Sequence, residues 1–204
     1  GLNHLVFPRE NPNKVEINFS LYEESRLVKA VSANQRESVR MLIHRLMAGN
    51  PVLQATSSEY WPRFKQALHL TIARIAENTP WSTEIGRESA FLLDSAPPES
   101  LEAFETRLMI LLDRIMDRQE YLRASENAQL MQDILAFLEE KLPDASLTLY
   151  NLSERLNMPE STLYKFVREE SGMSFSSLLE KLRMKRAAKL LLTTEYTIDE
   201  IAAL

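Results

Sequence analysis

The sequence contains no cysteine, which excludes a disulfide, a thiolate nucleophile and a cysteine-ligated metal site. Only 4 glycines and 9 prolines occur, and no glycine-rich phosphate loop is among them. The three histidines, His4, His44 and His69, are scattered, so convergent metal ligands are not expected. No nucleophile–base pair is visible either. We therefore expect a protein that is not an enzyme, with no catalytic residues, no cofactor and no metal.

Long apolar runs are also missing. No stretch approaches the roughly 18 apolar residues that a membrane span needs, and the first residues do not resemble a signal peptide. We expect this segment to be cytoplasmic. Because the chain starts at Gly1 rather than at a methionine, we also expect a longer native protein, in which an upstream membrane-anchored sensor or receiver domain could precede it.

Helix formers are abundant, with apolar residues three and four positions apart, and this pattern predicts an all-α protein. We expect an extended lead-in over residues 1–19 and a helical regulatory or dimerisation domain over residues 20–127. Ser20 and Glu23 have the spacing of a capping box. The predicted helices begin after Ser20 and near residue 36, and then cover residues 59–77, 84–93, 101–122 and 128–142.

The predicted helix 101–122 has an apolar stripe that two arrangements would explain. The stripe could face the core of its own domain, or it could form the seam of a homodimer. Trp61 and Trp81 flank predicted helices, and we interpret them as core or cap packing.

The most informative stretch is Leu149–Leu192, in which three helical patterns follow one another with short breaks. The first break ends at Pro159, which suits the first turn of the second helix. Gly172 ends that helix, and Ser174 opens the third. Two short helices joined by a tight turn, with polar and basic groups facing outward from the second, make the helix-turn-helix arrangement that reads a major groove.

The outward face of the second helix carries hydroxyl and basic side chains that suit contact with base edges or phosphates, namely Ser161, Thr162, Lys165 and Arg168. Tyr164 lies beside them, either against the sugar–phosphate backbone or half-buried. An ordinary solvated helix face is the alternative interpretation. The net charge of the chain is −5, yet the window from Ser161 to Thr194 holds seven basic and three acidic residues, a local charge of +4. Local charge is what matters for phosphate contact, because counterions are released where protein meets DNA.

This stretch resembles the first helix-turn-helix and the linker helix of AraC-type transcription regulators. The residues that carry the resemblance are Leu152-Ser153, Leu163, Phe166-Val167-Arg168, Gly172, Ser174-Phe175, Leu178-Leu179, Arg183-Met184, Ala187 and Leu190-Leu191. The run Thr197–Ala202 resembles the start of the second helix-turn-helix of that family, with a capping box from Thr197 to Glu200.

The resemblance implies a sequence-specific DNA-binding transcription regulator, an activator whose partner is the double-stranded DNA of a promoter. It assigns residues 128–194 to the first helix-turn-helix and linker helix, and residues 195–204 to a second one that the chain does not complete. We therefore expect the chain by itself to bind DNA poorly. The resemblance also adds two residues of the linker helix, Arg183 and Arg186, to the candidates for DNA contact. In the family, the position of Arg183 often ties the linker helix to the first subdomain.

One departure from the family concerns specificity, because Lys165 stands where the family usually has arginine. A lysine supplies a point charge rather than a bidentate fork. The helices before residue 128 also resemble the region that precedes the DNA-binding part in some of these regulators. That region would relay a signal or form a homodimer. The alternative function is a helical interaction module of a membrane-anchored or receiver-linked sensor.

Overall fold

The computed structural model describes residues 19–50, 53, 60–77, 79–94 and 96–202. The described part is built from helices and contains no strand, so the all-α prediction is confirmed. The helices are α1 (Leu21–Ser32), α2 (Arg36–Ala48), α3 (Trp61–Ala76), α4 (Ser82–Glu88), α5 (Leu101–Lys141), α6 (Leu149–Leu156), α7 (Glu160–Ser171), α8 (Phe175–Thr193) and α9 (Ile198–Ala202). A 3₁₀ helix, Ser89–Leu92, follows α4. The predicted lead-in lies outside the described residues except for Phe19.

The chain divides into two units, an N-terminal unit up to Tyr121 and a C-terminal unit from Leu122 onwards. The N-terminal unit has an aromatic centre, where Trp61 packs edge-on against Phe64 and Phe104 at centroid distances of 5.9 and 5.1 Å. All three side chains are buried. The interpretation of Trp61 as core is therefore confirmed, and such aromatic pairs add to the free energy gained by burial alone.

Local sequence signals place several helix ends. Ser20 caps α1 and accepts a hydrogen bond from the Glu23 backbone N–H at 3.3 Å. The predicted helix 59–77 corresponds to α3, with residue 59 outside the described ranges. The predicted helix 84–93 is shorter than expected, because α4 ends at Glu88 and the chain continues as the 3₁₀ helix.

The prediction of two helices over residues 101–122 and 128–142 is wrong, because α5 is one helix of 41 residues. Residues 123–127 contain neither glycine nor proline, so nothing in them stops a helix. The interruption of the apolar pattern there marks a change of core. Leu108, Leu112 and Ile115 are buried in the N-terminal unit, whereas Ile134 and Leu138 are buried in the C-terminal unit.

The same burial decides between the two explanations of the apolar stripe on residues 101–122. Its central side chains lie in the core of their own unit, so a dimer seam along this stripe is wrong.

The domain boundary between residues 127 and 128 falls inside α5 and stays a prediction. None of the described helices combines the length and apolarity that a bilayer crossing requires.

Candidate nucleic-acid interface

Helix α6 begins and ends at residues suited to those positions. The Thr148 backbone N–H and hydroxyl donate to Asn151 Oδ1 at 2.8 and 2.7 Å, which fixes the first turn. The helix ends at Asn157, whose φ of +50° is left-handed, a conformation that asparagine tolerates better than most residues. The Ser153 hydroxyl then donates to the Met158 carbonyl at 2.6 Å and closes the turn toward α7.

Helix α7 starts one residue later than the sequence suggested. Pro159 is the N-cap rather than a first-turn residue, and its carbonyl accepts from the backbone N–H groups of Thr162 and Leu163 at 2.9 and 3.0 Å. Proline has no backbone N–H, and at the N-cap position this absence costs the helix no hydrogen bond. Gly172 ends α7 with a φ of +70°, as predicted, and its N–H donates to the Arg168 carbonyl.

The inner face of α7 is buried and fixes which side chains face outward. Leu163 and Val167 are fully buried in the core of the C-terminal unit, together with Leu152, Ile134 and Leu138. Phe166 is half-buried against the same core. Because this face is buried, the opposite face of α7 is the one exposed to solvent.

The outer face of α7 brings the five sequence-predicted candidates together. Their side chains are exposed, with Tyr164 42% exposed, and they are Ser161, Thr162, Tyr164, Lys165 and Arg168. Positions 161, 165 and 168 are four and three residues apart, so they share one face. Within the described part of the chain, neither Lys165 nor Arg168 has an ion-pair partner at 4.0 Å or less. Both cations are thus available to an external anion.

Glu170, an acidic residue in the last turn of α7, makes a contact that the sequence did not suggest. The Asn127 side chain on α5 donates to Glu170 Oε1 at 2.8 Å, across a separation of 43 residues. A polar residue on an exposed helix turn gives no local signal of such a partner. The bond links the last turn of α7 to α5.

The linker helix α8 is attached to the end of α5 through Arg183. The guanidinium donates from Nη2 to the Asp144 carbonyl at 2.8 Å and from Nε to the Leu142 carbonyl at 3.4 Å. The Arg183 side chain is half-buried. These bonds favour the structural role of Arg183 over phosphate contact. Arg186 is also half-buried and has no hydrogen bond to the described residues.

Replacing Arg183 by methionine should lower the free energy of unfolding by about 1–3 kcal/mol, because it leaves carbonyls without their donor. Arg186→Met is the matched control, since it removes the same charge from the same helix without removing a hydrogen bond. Urea denaturation followed by circular dichroism measures both. Equal losses for the two variants would contradict the structural role of Arg183.

The loop that contains Asp144, which Arg183 contacts, is held by hydrogen bonds from Ser146. Ser146 donates from its N–H and its hydroxyl to Asp144 Oδ1 at 2.8 and 2.6 Å. These hydrogen bonds, first that of the hydroxyl, hold the pKa of Asp144 below its usual value.

Helix α9 opens with the predicted capping box. The Thr197 N–H donates to Glu200 Oε2 at 2.8 Å, and the Glu200 N–H donates to Thr197 Oγ1 at 3.3 Å. These contacts, first that of the Thr197 backbone N–H, hold the pKa of Glu200 below its usual value. No group of three or more acidic or histidine residues in the described ranges could hold a metal ion.

Comparison with known proteins agrees with this geometry. Residues 152–204 match the family model of a helix-turn-helix domain, which covers α7, α8, α9 and most of α6. The C-terminal unit thus carries a helix-turn-helix domain. Together with the relatives described next, this match confirms the resemblance seen in the sequence.

The chain is similar to the HTH-type transcriptional activators RhaR of Yersinia pseudotuberculosis serotype O:3 (strain YPIII) and Yersinia pestis bv. Antiqua (strain Angola). Each is 26% identical over 160 residues, which make up 78% of this chain and 51% of the relative. The chain therefore spans about half the length of the curated relatives that it matches. No solved structure matches the chain.

Proposed function

We propose that the protein is a sequence-specific DNA-binding transcription regulator of the AraC type that inserts α7 into a major groove. The observation that carries the proposal is the outer face of α7, where hydroxyl groups and two cations without ion-pair partners in the described residues lie together. A recognition helix needs this combination, because hydroxyl and basic groups contact both base edges and phosphates.

Charge supports the same surface. Five further basic residues lie beyond Arg168 on α8, and three of them, Lys181, Lys185 and Lys189, are exposed. Most of the acidic excess of the chain lies upstream of this segment. A local positive field attracts DNA and raises the association rate even when the whole protein is acidic.

The names of the relatives support a proposal for the sense of regulation. Both are named transcriptional activators, so we propose activation at promoter DNA. We further propose that the N-terminal unit relays a signal or forms a homodimer. In the full-length protein, a membrane-anchored sensor or receiver domain upstream would supply that signal, and this segment would act in the cytoplasm.

The test is selection of bound duplexes from a random-sequence pool at low salt, followed by affinity measurements on the enriched duplex. We expect a shared motif and at least about tenfold tighter binding than to a scrambled duplex, because one good base contact is worth about 1–3 kcal/mol. Affinity should fall steeply between about 50 and 200 mM salt. Salt-dependent binding without any motif would contradict sequence-specific recognition. Because weak binding is expected of this chain by itself, the measurements extend to about 100 μM protein, where even non-specific DNA binding is detectable. Salt-independent binding, or no binding at that concentration, would contradict DNA binding itself.

A further inference from the structure

Lys65 on α3 is a buried cation in the N-terminal unit. Lys65 is only 3% exposed, and its Nζ donates a hydrogen bond to the Ala96 carbonyl at 2.8 Å. An ammonium group has three donors, and this is its one hydrogen bond to the described residues. No carboxylate of the described ranges lies within 4.0 Å of Nζ. Burying a charge without a direct ion pair is unfavourable, so the site favours the binding of an anion.

The Lys65 side chain lines an open cavity of about 370 Å³, a volume typical of small-molecule sites. One wall is aromatic, since Phe91 and Phe104 pack edge-on with centroids 6.1 Å apart. The Arg107 guanidinium lies 4.2 Å from the centroid of the Phe91 ring, and it also lines the cavity. A stacked guanidinium keeps its in-plane N–H donors free for a planar anion. The cavity thus combines two cations with an apolar surface.

Two carboxylates, Asp94 and Glu99, also line this cavity. Their exposure to solvent determines whether the cavity favours an anionic or a cationic ligand. Asp94 and Glu99 are both exposed, and Asp94 Oδ1 is occupied by the Ala96 N–H at 2.9 Å. Solvent screens such groups strongly, whereas a charge at a buried site acts through a lower dielectric. Burial lowers the pKa of Lys65, and the attraction of Asp94 raises it. The deepest charged group is therefore the cation.

We propose that this cavity binds a small organic monocarboxylate that carries an aromatic or other apolar group. The carboxylate accepts from Lys65 Nζ and from the Arg107 guanidinium, and the apolar group packs on Phe91 and Phe104. The site lies in the N-terminal unit, apart from the helix-turn-helix, and its test does not involve DNA.

The first experiment titrates the whole chain with benzoate, benzyl alcohol and benzylamine by isothermal titration calorimetry. The three probes share one ring and differ in charge. We expect benzoate to saturate with a Kd on the order of 1 mM. It should bind at least about tenfold tighter than benzyl alcohol, because charge-assisted hydrogen bonds are stronger. Benzylamine or benzyl alcohol binding as tightly as benzoate would overturn the proposal.

The second experiment repeats the benzoate titration on variants. Lys65→Met keeps the apolar stem and removes the charge, so affinity should fall about tenfold. Lys29→Met, an exposed lysine on α1, is the matched control and should bind as the parent does. Tryptophan fluorescence reports folding, because Trp61 lies in the same core. A folded Lys65→Met with unchanged affinity would overturn the site. If Lys65→Met does not fold, the benzoate titration is repeated on Arg107→Gln, a change at an exposed residue. Unchanged benzoate affinity of that variant would also overturn the proposed site.

Discussion

Truncating Leu163 to alanine should lower the free energy of unfolding of the C-terminal unit by about 2–5 kcal/mol. Leu163 is fully buried and is the side chain through which the first half of α7 contacts the core. A cavity there costs both the lost burial and the contacts of the atoms that lined it. Since a small domain is stable by only about 5–15 kcal/mol, the helix-turn-helix would lose a large part of its margin.

Amide hydrogen exchange in α6, α7 and α8 measures this effect where it arises. Glu169→Ala, an exposed change on the same helix, is the control and should stay within about 0.5 kcal/mol of the parent. Tryptophan fluorescence adds an internal reference, because Trp61 and Trp81 both lie in the N-terminal unit. A loss below about 1 kcal/mol for Leu163→Ala would mean that α7 is not held by this side chain.

The parts of the fold that the sequence predicted are those with local causes. Helix ends are set by caps within three or four residues, and so Ser20, Gly172 and Thr197 were placed correctly. The exposed face of α7 was predictable for the same reason, since a periodic apolar pattern defines its opposite face. The error at Pro159 was one position, which is the usual uncertainty at a helix end.

The parts that the sequence did not predict depend on distant partners. The Asn127–Glu170 and Lys65–Ala96 hydrogen bonds join residues 43 and 31 positions apart, and no local pattern marks them. Continuity of α5 was missed because an interrupted apolar stripe was interpreted as a break in the helix. A helix that passes from one core to another interrupts its stripe without ending, and only the absence of glycine and proline at residues 123–127 indicated this.

Removing both cations of the outer face of α7, Lys165→Ala with Arg168→Ala, should weaken DNA binding on the order of 100-fold at low salt. Each contact to a phosphate adds nearly one unit to the dependence of log affinity on log salt, so the slope should fall by about two if both residues contact phosphates. A base contact behaves differently. Its loss relaxes the preference at one position of the site and leaves the other positions unchanged.

The single variants separate these two roles. Lys165→Ala should weaken binding to all duplexes and lower the salt slope by about one, because an ammonium is a point charge that suits phosphate. Lys165→Arg supplies a bidentate fork at the same position, so any gain in preference for guanine would indicate that this position lies at a base edge. Lys29→Ala is the charge-matched control on an exposed part of α1 and should leave both affinity and slope as they are. If Lys165→Ala changes neither affinity nor sequence preference, α7 does not present this face to DNA, and the assignment of the recognition helix fails.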